Sequence, residues 1–353
     1  MKRPVIVADD RIPFLQGVLE PYCDVTYLPG GRIDRNAVRN ADALIIRTRT
    51  RCNAELLANT PVRLIATATI GFDHIDTDYV EKSGITWFNA PGCNASSVRQ
   101  YIASALLSLA AKHGFSLTGK TLGVVGVGHV GKLVADLGER WGMRVLRNDP
   151  PRAAAEGSAG FSSLEETVHE ADFLTFHVPL DNITCGMADA RLISMMKPTA
   201  FLLNASRGEV VRTNDLKTAL LERKIAGAVL DVWENEPEID RELLDLVDYG
   251  TPHIAGYSTD GKANGTTACV RNTAAFFGLN ELLDWAPATL PATPVVTEPA
   301  DGISGQEARK WVLDQYYDIA EDDRMLRNAP ETFEALRGTY RIRREAPQER
   351  MFD

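Results

Sequence analysis

At 353 residues, 44% hydrophobic and 24% charged, the chain has ordinary globular composition and length enough for two domains plus an appendage. Its net charge of -10 argues against nucleic acid, whose phosphates demand a basic face, while small anionic substrates stay possible wherever arginines cluster. MKRPVIVADD reaches Asp9 and Asp10 before a signal-peptide apolar region forms, and no run of about 18 apolar residues suggests a membrane span. The five cysteines are scattered without a CxxC pair, so the expectation is buried thiols in a cytoplasmic, reduced protein.

Taken in chain order, VIVA, VTYL, ALIIR, LIATA and ITWFN read as strands, with helical segments such as TDYVEKSG between some of them. That alternation predicts a parallel sheet wrapped by helices. After the breaker PGCN, SSVRQYIASALLSLAAK has apolar residues at helical spacing. A second alternating series follows: TLGVVG, RVLRND, DFLTFHV, AFLLNA and GAVLDV. Within it, SSLE reads as a capping box with Ser162 as N-cap and Glu165 reaching back. GKANGTTACVRNTAAFFGLNELL reads as a returning helix, and a proline-interrupted tail from about residue 285 holds one helix over QEARKWVLDQYYDIAEDD.

In VVGVGHVG, Gly126, Gly128 and Gly131 fit GxGxxG between a strand and a helix, with His129 and Val130 inside the turn. Glycines there permit a tight turn, close approach of amides to a pyrophosphate, and close helix packing. Asp149, ending the next strand, can accept from both ribose hydroxyls and repels a 2′-phosphate, favouring NAD over NADP, although Arg147 and Arg152 are near in sequence. Three further groups follow later strands. Arg207 lies in NASRGEVV, Asp231 and Glu236 in DVWENEPE, and His253 in TPHIAGY.

Each of these has a bland reading as a surface arginine, a loop carboxylate or a satisfied polar residue. Together they supply an anion clamp, a carboxylate and an imidazole at the ligand-binding edge of a nucleotide fold. Removing hydride from a secondary alcohol requires a base beside the hydroxyl. Histidine titrates in the working range, a carboxylate behind it supports imidazolium, and guanidinium binds a carboxylate bidentately. Cys93 reads as a buried thiol, and GFDHID, with Asp73, His74 and Asp76, as a helix-start loop rather than a metal site. His177 is expected near the cofactor or in the sheet.

VVGVGHVG, NASRGEVV, DVWENEPE and TPHIAGY, in this order over about residues 1 to 280, resemble the D-isomer-specific 2-hydroxyacid dehydrogenases. TATIGFDHID, NAPGCNASSV and HIAGYSTDGKANGTT resemble a branch that acts on a four-carbon 2-hydroxy acid phosphorylated at its far end, on a bacterial route to pyridoxal 5′-phosphate. The resemblance implies an NAD-dependent enzyme with Arg207, Glu236 and His253 at the active site, His253 exchanging the proton. It implies that Thr48, Thr67 and Tyr257 contact substrate. Asp149, Thr175, Asp231 and Gly256 would contact NAD with the glycine loop. No metal is implied.

The expected fold is two doubly wound parallel-sheet domains, Rossmann- or flavodoxin-like, with the site in the cleft between them, plus a small C-terminal α+β dimerisation domain. The boundaries are 1–93 with 256–284 for substrate, 94–255 for NAD, and 285–353 for the tail. Trp311, Tyr316 and Tyr317 are expected to bury against a second subunit in a homodimer. For the phosphate, the extended segment RTRTR would point Arg47, Arg49 and Arg51 one way, and Arg341, Arg343 and Arg344 could reach over from the partner. Two alternatives stay open: a 3-phosphoglycerate dehydrogenase, or a non-enzymatic NAD-sensing protein of the same fold.

Overall fold

The computed structural model describes residues 3–341 and 343–352. The chain divides into two compact units, Met1–Asn94 with Ser258–Pro291, and Ala95–Tyr257 with Ala292–Asp353.

The first unit is built on β1 (Val5–Asp9), β2 (Asp24–Leu28), β3 (Ala43–Ile46), β4 (Leu64–Thr67) and β5 (Thr86–Phe88), all parallel in the order β2-β1-β3-β4-β5. The inner strands VIVAD, ALII and LIAT are apolar at consecutive positions and buried, because helices cover both faces of the sheet. Edge strands β2 and β5 hold only exposed and half-buried positions. The returning helix, Thr259–Phe277, starts at Ser258, whose hydroxyl accepts from the Gly261 amide at 2.9 Å, and stops at left-handed Gly278. It lies on β4 so closely that a Cβ on Gly265 would stand 2.7 Å from the Ala68 carbonyl oxygen. Cys269, Val270 and Ala274 join Ile6, Ala8 and Ala66 in one core.

The second unit carries β6 (Thr121–Val125), β7 (Arg144–Asn148), β8 (Phe173–Phe176), β9 (Phe201–Asn204), β10 (Gly227–Leu230) and β11 (Tyr249–Gly250), parallel in the order β11-β10-β9-β8-β6-β7. The chain reverses its direction of travel across the sheet between β6 and β8, the crevice where such sheets take their ligands. The helix Ala95–His113 is buried almost all round, and its small residues let neighbours approach. Ser163, one residue later than expected, is the N-cap of Leu164–Glu170, its hydroxyl accepting from Glu166 N at 3.0 Å.

The tail is helical among its described residues rather than α+β, and it does not stand apart. The expected long helix is two, Gly305–Asp314 and Ile319–Asn328. Leu313, Tyr317, Ile319 and Met351 enter the core formed by the Ala95–His113 helix, Trp141 and β6. Trp141 Nε1 donates to Met351 O at 3.0 Å, and Ser104 Oγ accepts from Ile319 N at 3.1 Å. Tyr317 is thus buried inside its own chain at 1% exposure, while Trp311 remains 47% exposed. Arg343, expected to reach toward a partner, is buried too, donating to Ser97 Oγ at 2.7 Å and Ala255 O at 2.8 Å.

Candidate active site

The glycine loop follows β6 at the reversal. Gly126 has φ +84 and a Cβ there would stand 2.7 Å from the His177 carbonyl, so the loop backs onto the end of β8. A Cβ on Gly131 would stand 1.9 Å from the Gly126 oxygen, which seals the helix against its own turn. At Gly128 the opposite holds: nothing lies within 4 Å of the Cβ position. Packing does not require glycine there, and the exposed position leaves the loop backbone open to approach from outside. Gly128 is also the N-cap of His129–Arg140 without a side-chain cap, leaving the first-turn amides and the helix dipole to an anion. The residues therefore fit the pyrophosphate of a dinucleotide.

Asp149 closes β7 and ties the loop to the strand. One carboxylate oxygen accepts from Val127 N at 2.8 Å and the other from Arg152 N at 3.0 Å. The two nearby arginines have carboxylate partners, Arg147 with Glu139 at 2.8 Å and Arg152 with Glu156 at 2.7 Å. On β8, buried Thr175 lies 3.0 Å through Oγ1 from His177 Nε2. Burial pushes the His177 ring down to about 3, so it is neutral at working pH.

Beyond β9, Asn204 organises the NASRG turn: Oδ1 accepts from Ser206 N at 3.1 Å and Nδ2 donates to Arg207 O at 2.8 Å. Arg207 Nη1 donates to Ser206 O at 2.8 Å. A Cβ on Gly208 would stand 2.0 Å from the Trp233 carbonyl, so this turn lies directly on the DVWENEPE loop.

In that loop and the next, Glu236 Oε2 is 2.7 Å from His253 Nδ1, and Glu236 Oε1 accepts from Trp233 N at 3.0 Å. Burial favours the protonated carboxyl of Glu236. The His253 hydrogen bond and charge, the Trp233 amide and Arg337 together outweigh it, holding the carboxyl below its ordinary value. His253 has φ +56, a strained left-handed backbone for a non-glycine residue. Asp231 holds that turn in place. Its carbonyl accepts from His253 N at 2.7 Å, and its buried carboxylate accepts from Thr251 Oγ1, Ile254 N and Ala255 N at 2.7, 2.8 and 2.9 Å. Gly256 and Tyr257 follow half-buried, with the Tyr257 ring edge-on to Tyr340 at 5.9 Å. Arg337, far along the tail, places Nη1 3.8 Å from Glu236 Oε2 and had no signal in local sequence.

In the first unit, Arg47 and Thr48 follow β3, and Thr67 ends β4. Residues 48–49 form a turn, so the alternation expected of an extended RTRTR does not apply. Arg47 is held bidentately by fully buried Asp9, at 3.1 and 3.0 Å. Thr48 and Arg51 are exposed. Thr67 is buried, 2.8 Å from Thr69 Oγ1 and 3.0 Å from His74 Nε2. Asp76 caps the following helix, accepting from Tyr79 N at 3.0 Å, and no cluster of metal-ligating side chains occurs among the described residues. Cys93 is half-buried and Cys185 exposed, so the expectation of buried thiols holds only for Cys23, Cys52 and Cys269.

The model for the NAD binding domain of D-isomer specific 2-hydroxyacid dehydrogenases matches residues 96–255. An erythronate-4-phosphate dehydrogenase of Bacteroides thetaiotaomicron is 46% identical over 345 residues, covering 96% of this chain and 97% of that one. One from Escherichia coli O127:H6 is 42% identical over 349 residues, covering 96% and 92%. The crystal structure of D-lactate dehydrogenase from Aquifex aeolicus, complexed with NAD and lactic acid, superposes with TM-score 0.69 at 28% identity, covering 82% of this chain and 100% of that one. The chain belongs to the D-isomer specific 2-hydroxyacid dehydrogenase family, among the erythronate-4-phosphate dehydrogenases.

Proposed function

We propose that the protein oxidises 4-phospho-D-erythronate to 2-oxo-3-hydroxy-4-phosphobutanoate with NAD, a step in pyridoxal 5′-phosphate biosynthesis. The observation that carries the reading is the 2.7 Å pair of His253 Nδ1 with half-buried Glu236, in the loop against which the Arg207 turn is packed. Glycines 126, 128 and 131, the amides of His129 and Val130, and Asp149 hold the dinucleotide, with Thr175, Asp231 and Gly256 lining its place. NAD, when bound, would supply the acceptor for the hydride leaving C2 of the substrate. With Nδ1–H donated to Glu236, His253 presents the lone pair of Nε2, which accepts the hydroxyl proton. Glu236 stabilises the imidazolium so formed, and Arg207 holds the carboxylate and polarises the reacting oxygen. Thr48, Thr67 and Tyr257 contact the substrate.

The far phosphate falls to the 47–51 turn. Arg47 balances Asp9 there, and exposed Arg51 supplies charge to the anion. The protein works in the cytoplasm as a homodimer, with exposed Trp311 in the contact. No described helix is long and apolar enough to cross a membrane.

The test is NADH formation by the purified protein with NAD and 4-phosphoerythronate, with a carbonyl trap drawing the reaction forward. Turnover is expected with the phosphorylated acid and very little with erythronate itself. Equal rates on the two would remove the phosphate from the reading, 3-phosphoglycerate as the better substrate would redirect it, and NAD binding without turnover of any of them would leave a sensor.

A further inference from the structure

We infer that Arg337, in the tail helix Phe333–Gly338, is a positioning residue that restrains the basicity of the catalytic pair by sharing the Glu236 carboxylate with His253; this rests on the assignment of His253 as the base. Glu236 Oε2 is the oxygen at issue, because it stands 2.7 Å from His253 Nδ1 and 3.8 Å from Arg337 Nη1. Glu236 Oε1 is already taken by the Trp233 amide. The guanidinium is fixed in place. It is 16% exposed, Phe333 beneath it is fully buried in the core of the second unit, and Nη1 also donates to Glu334 Oε1 at 3.1 Å. Its Nε is buried and without a hydrogen-bond partner.

A surface arginine would not leave a donor buried in this way, since the orphaned group costs stability and the charge could reach water by turning out. Among the described residues, the charged groups facing the carboxylate are thus His253 from the next loop and Arg337 from the tail, with Glu334 beyond Arg337 dividing the attention of the cation. A second cation on the same oxygen weakens the support that Glu236 gives to imidazolium. The direction of its effect follows. Arg337 favours neutral His253, the form that accepts a proton from the substrate hydroxyl.

The test follows the acid limb of the pH profile of kcat/KM for hydroxyl oxidation, together with the 15N titration of the His253 ring in the cofactor-free protein, assigned with His253→Asn. Arg337→Gln should move both upward by about half to one pH unit, the size expected when one of two cations sharing a partly screened carboxylate is removed. KM should change less than twofold and Arg337→Lys should return most of the shift. Glu334→Gln, which releases Arg337 toward Glu236 without touching the core, should move both downward. A folded Arg337→Gln variant whose limb and titration stay at the unmutated values overturns the inference. Should that variant not fold, an unmoved titration in Glu334→Gln overturns it equally. Glu236→Gln separates the two levels. If it fails to move the limb, the assignment of the catalytic pair is wrong, whereas if it moves the limb and neither tail variant does, only the role of Arg337 is lost.

Discussion

Gly128 and Gly131 lie three positions apart in one turn, yet the structure assigns them opposite reasons for lacking a side chain. Gly131→Ala would put its Cβ 1.9 Å from the Gly126 carbonyl oxygen, about an ångström inside any tolerated contact, and both atoms belong to backbone that β6 and the helix hold rigidly. Overpacking of that kind costs about 1–3 kcal/mol, and in a unit of this size that lowers Tm by roughly 2–12 °C. Gly128→Ala meets nothing within 4 Å, so it should fold with a Tm much closer to the unmutated value. Its added methyl instead enters the space assigned to the pyrophosphate. Losing one charge-assisted hydrogen bond there, about 1.5–3 kcal/mol, weakens NAD roughly tenfold to a hundredfold. The assay pairs thermal unfolding of the cofactor-free protein with calorimetric titration of NAD. A Gly128→Ala protein that binds NAD as tightly as the unmutated one would refute the placement of the cofactor, and a Tm loss equal to that of Gly131→Ala would refute the packing argument.

His253→Ala should lose roughly two to four orders of magnitude in kcat with NAD affinity nearly unchanged, and a loss below tenfold in kcat would remove it as the base. The low Glu236 carboxyl contributes to stability above the carboxylate's unfolded value near pH 4, a contribution lost as pH falls through the lower folded value. Glu236→Gln should therefore flatten the acid side of the Tm-against-pH curve, and an identical curve would deny the pair its charge. Asp149→Ser should narrow the preference for NAD over NADP, measured as the ratio of kcat/KM values, while equal use of both cofactors by the unmutated enzyme would sink the role of Asp149. Arg47→Gln leaves buried Asp9 short of its partner and should cost about 1–3 kcal/mol in urea unfolding; an unchanged midpoint would mean that the pair contributes nothing and return Arg47 to the substrate.

The two sheets were readable because parallel strands buried on both faces leave continuous apolar runs, as in ALII, LIAT and FLLN, punctuated by glycine turns. The His–Glu pair was readable because both residues follow consecutive strands of one sheet, where strand order brings chain-distant loops to a single edge. What the sequence withheld depends on partners far away in the chain. RTRTR shows three arginines, but nothing local says that Asp9, 38 positions earlier, holds one of them. Aromatics in the tail have the same composition whether they face a second copy or their own core, and only the placement of Tyr317 against the Ala95–His113 helix decides for the latter. Arg343 carries the point furthest. In sequence it is one of several basic residues near the chain's end, yet it stacks 4.1 Å from the Tyr317 ring and donates to the carbonyl of Ala255, two residues beyond His253. A tail that supplies a buried guanidinium behind the His253 turn, and a half-buried one beside Glu236, is part of the apparatus that holds a histidine at φ +56. Removing the tail near residue 285 therefore opens the core of the second unit and releases that turn, an effect on the fold itself rather than on assembly alone.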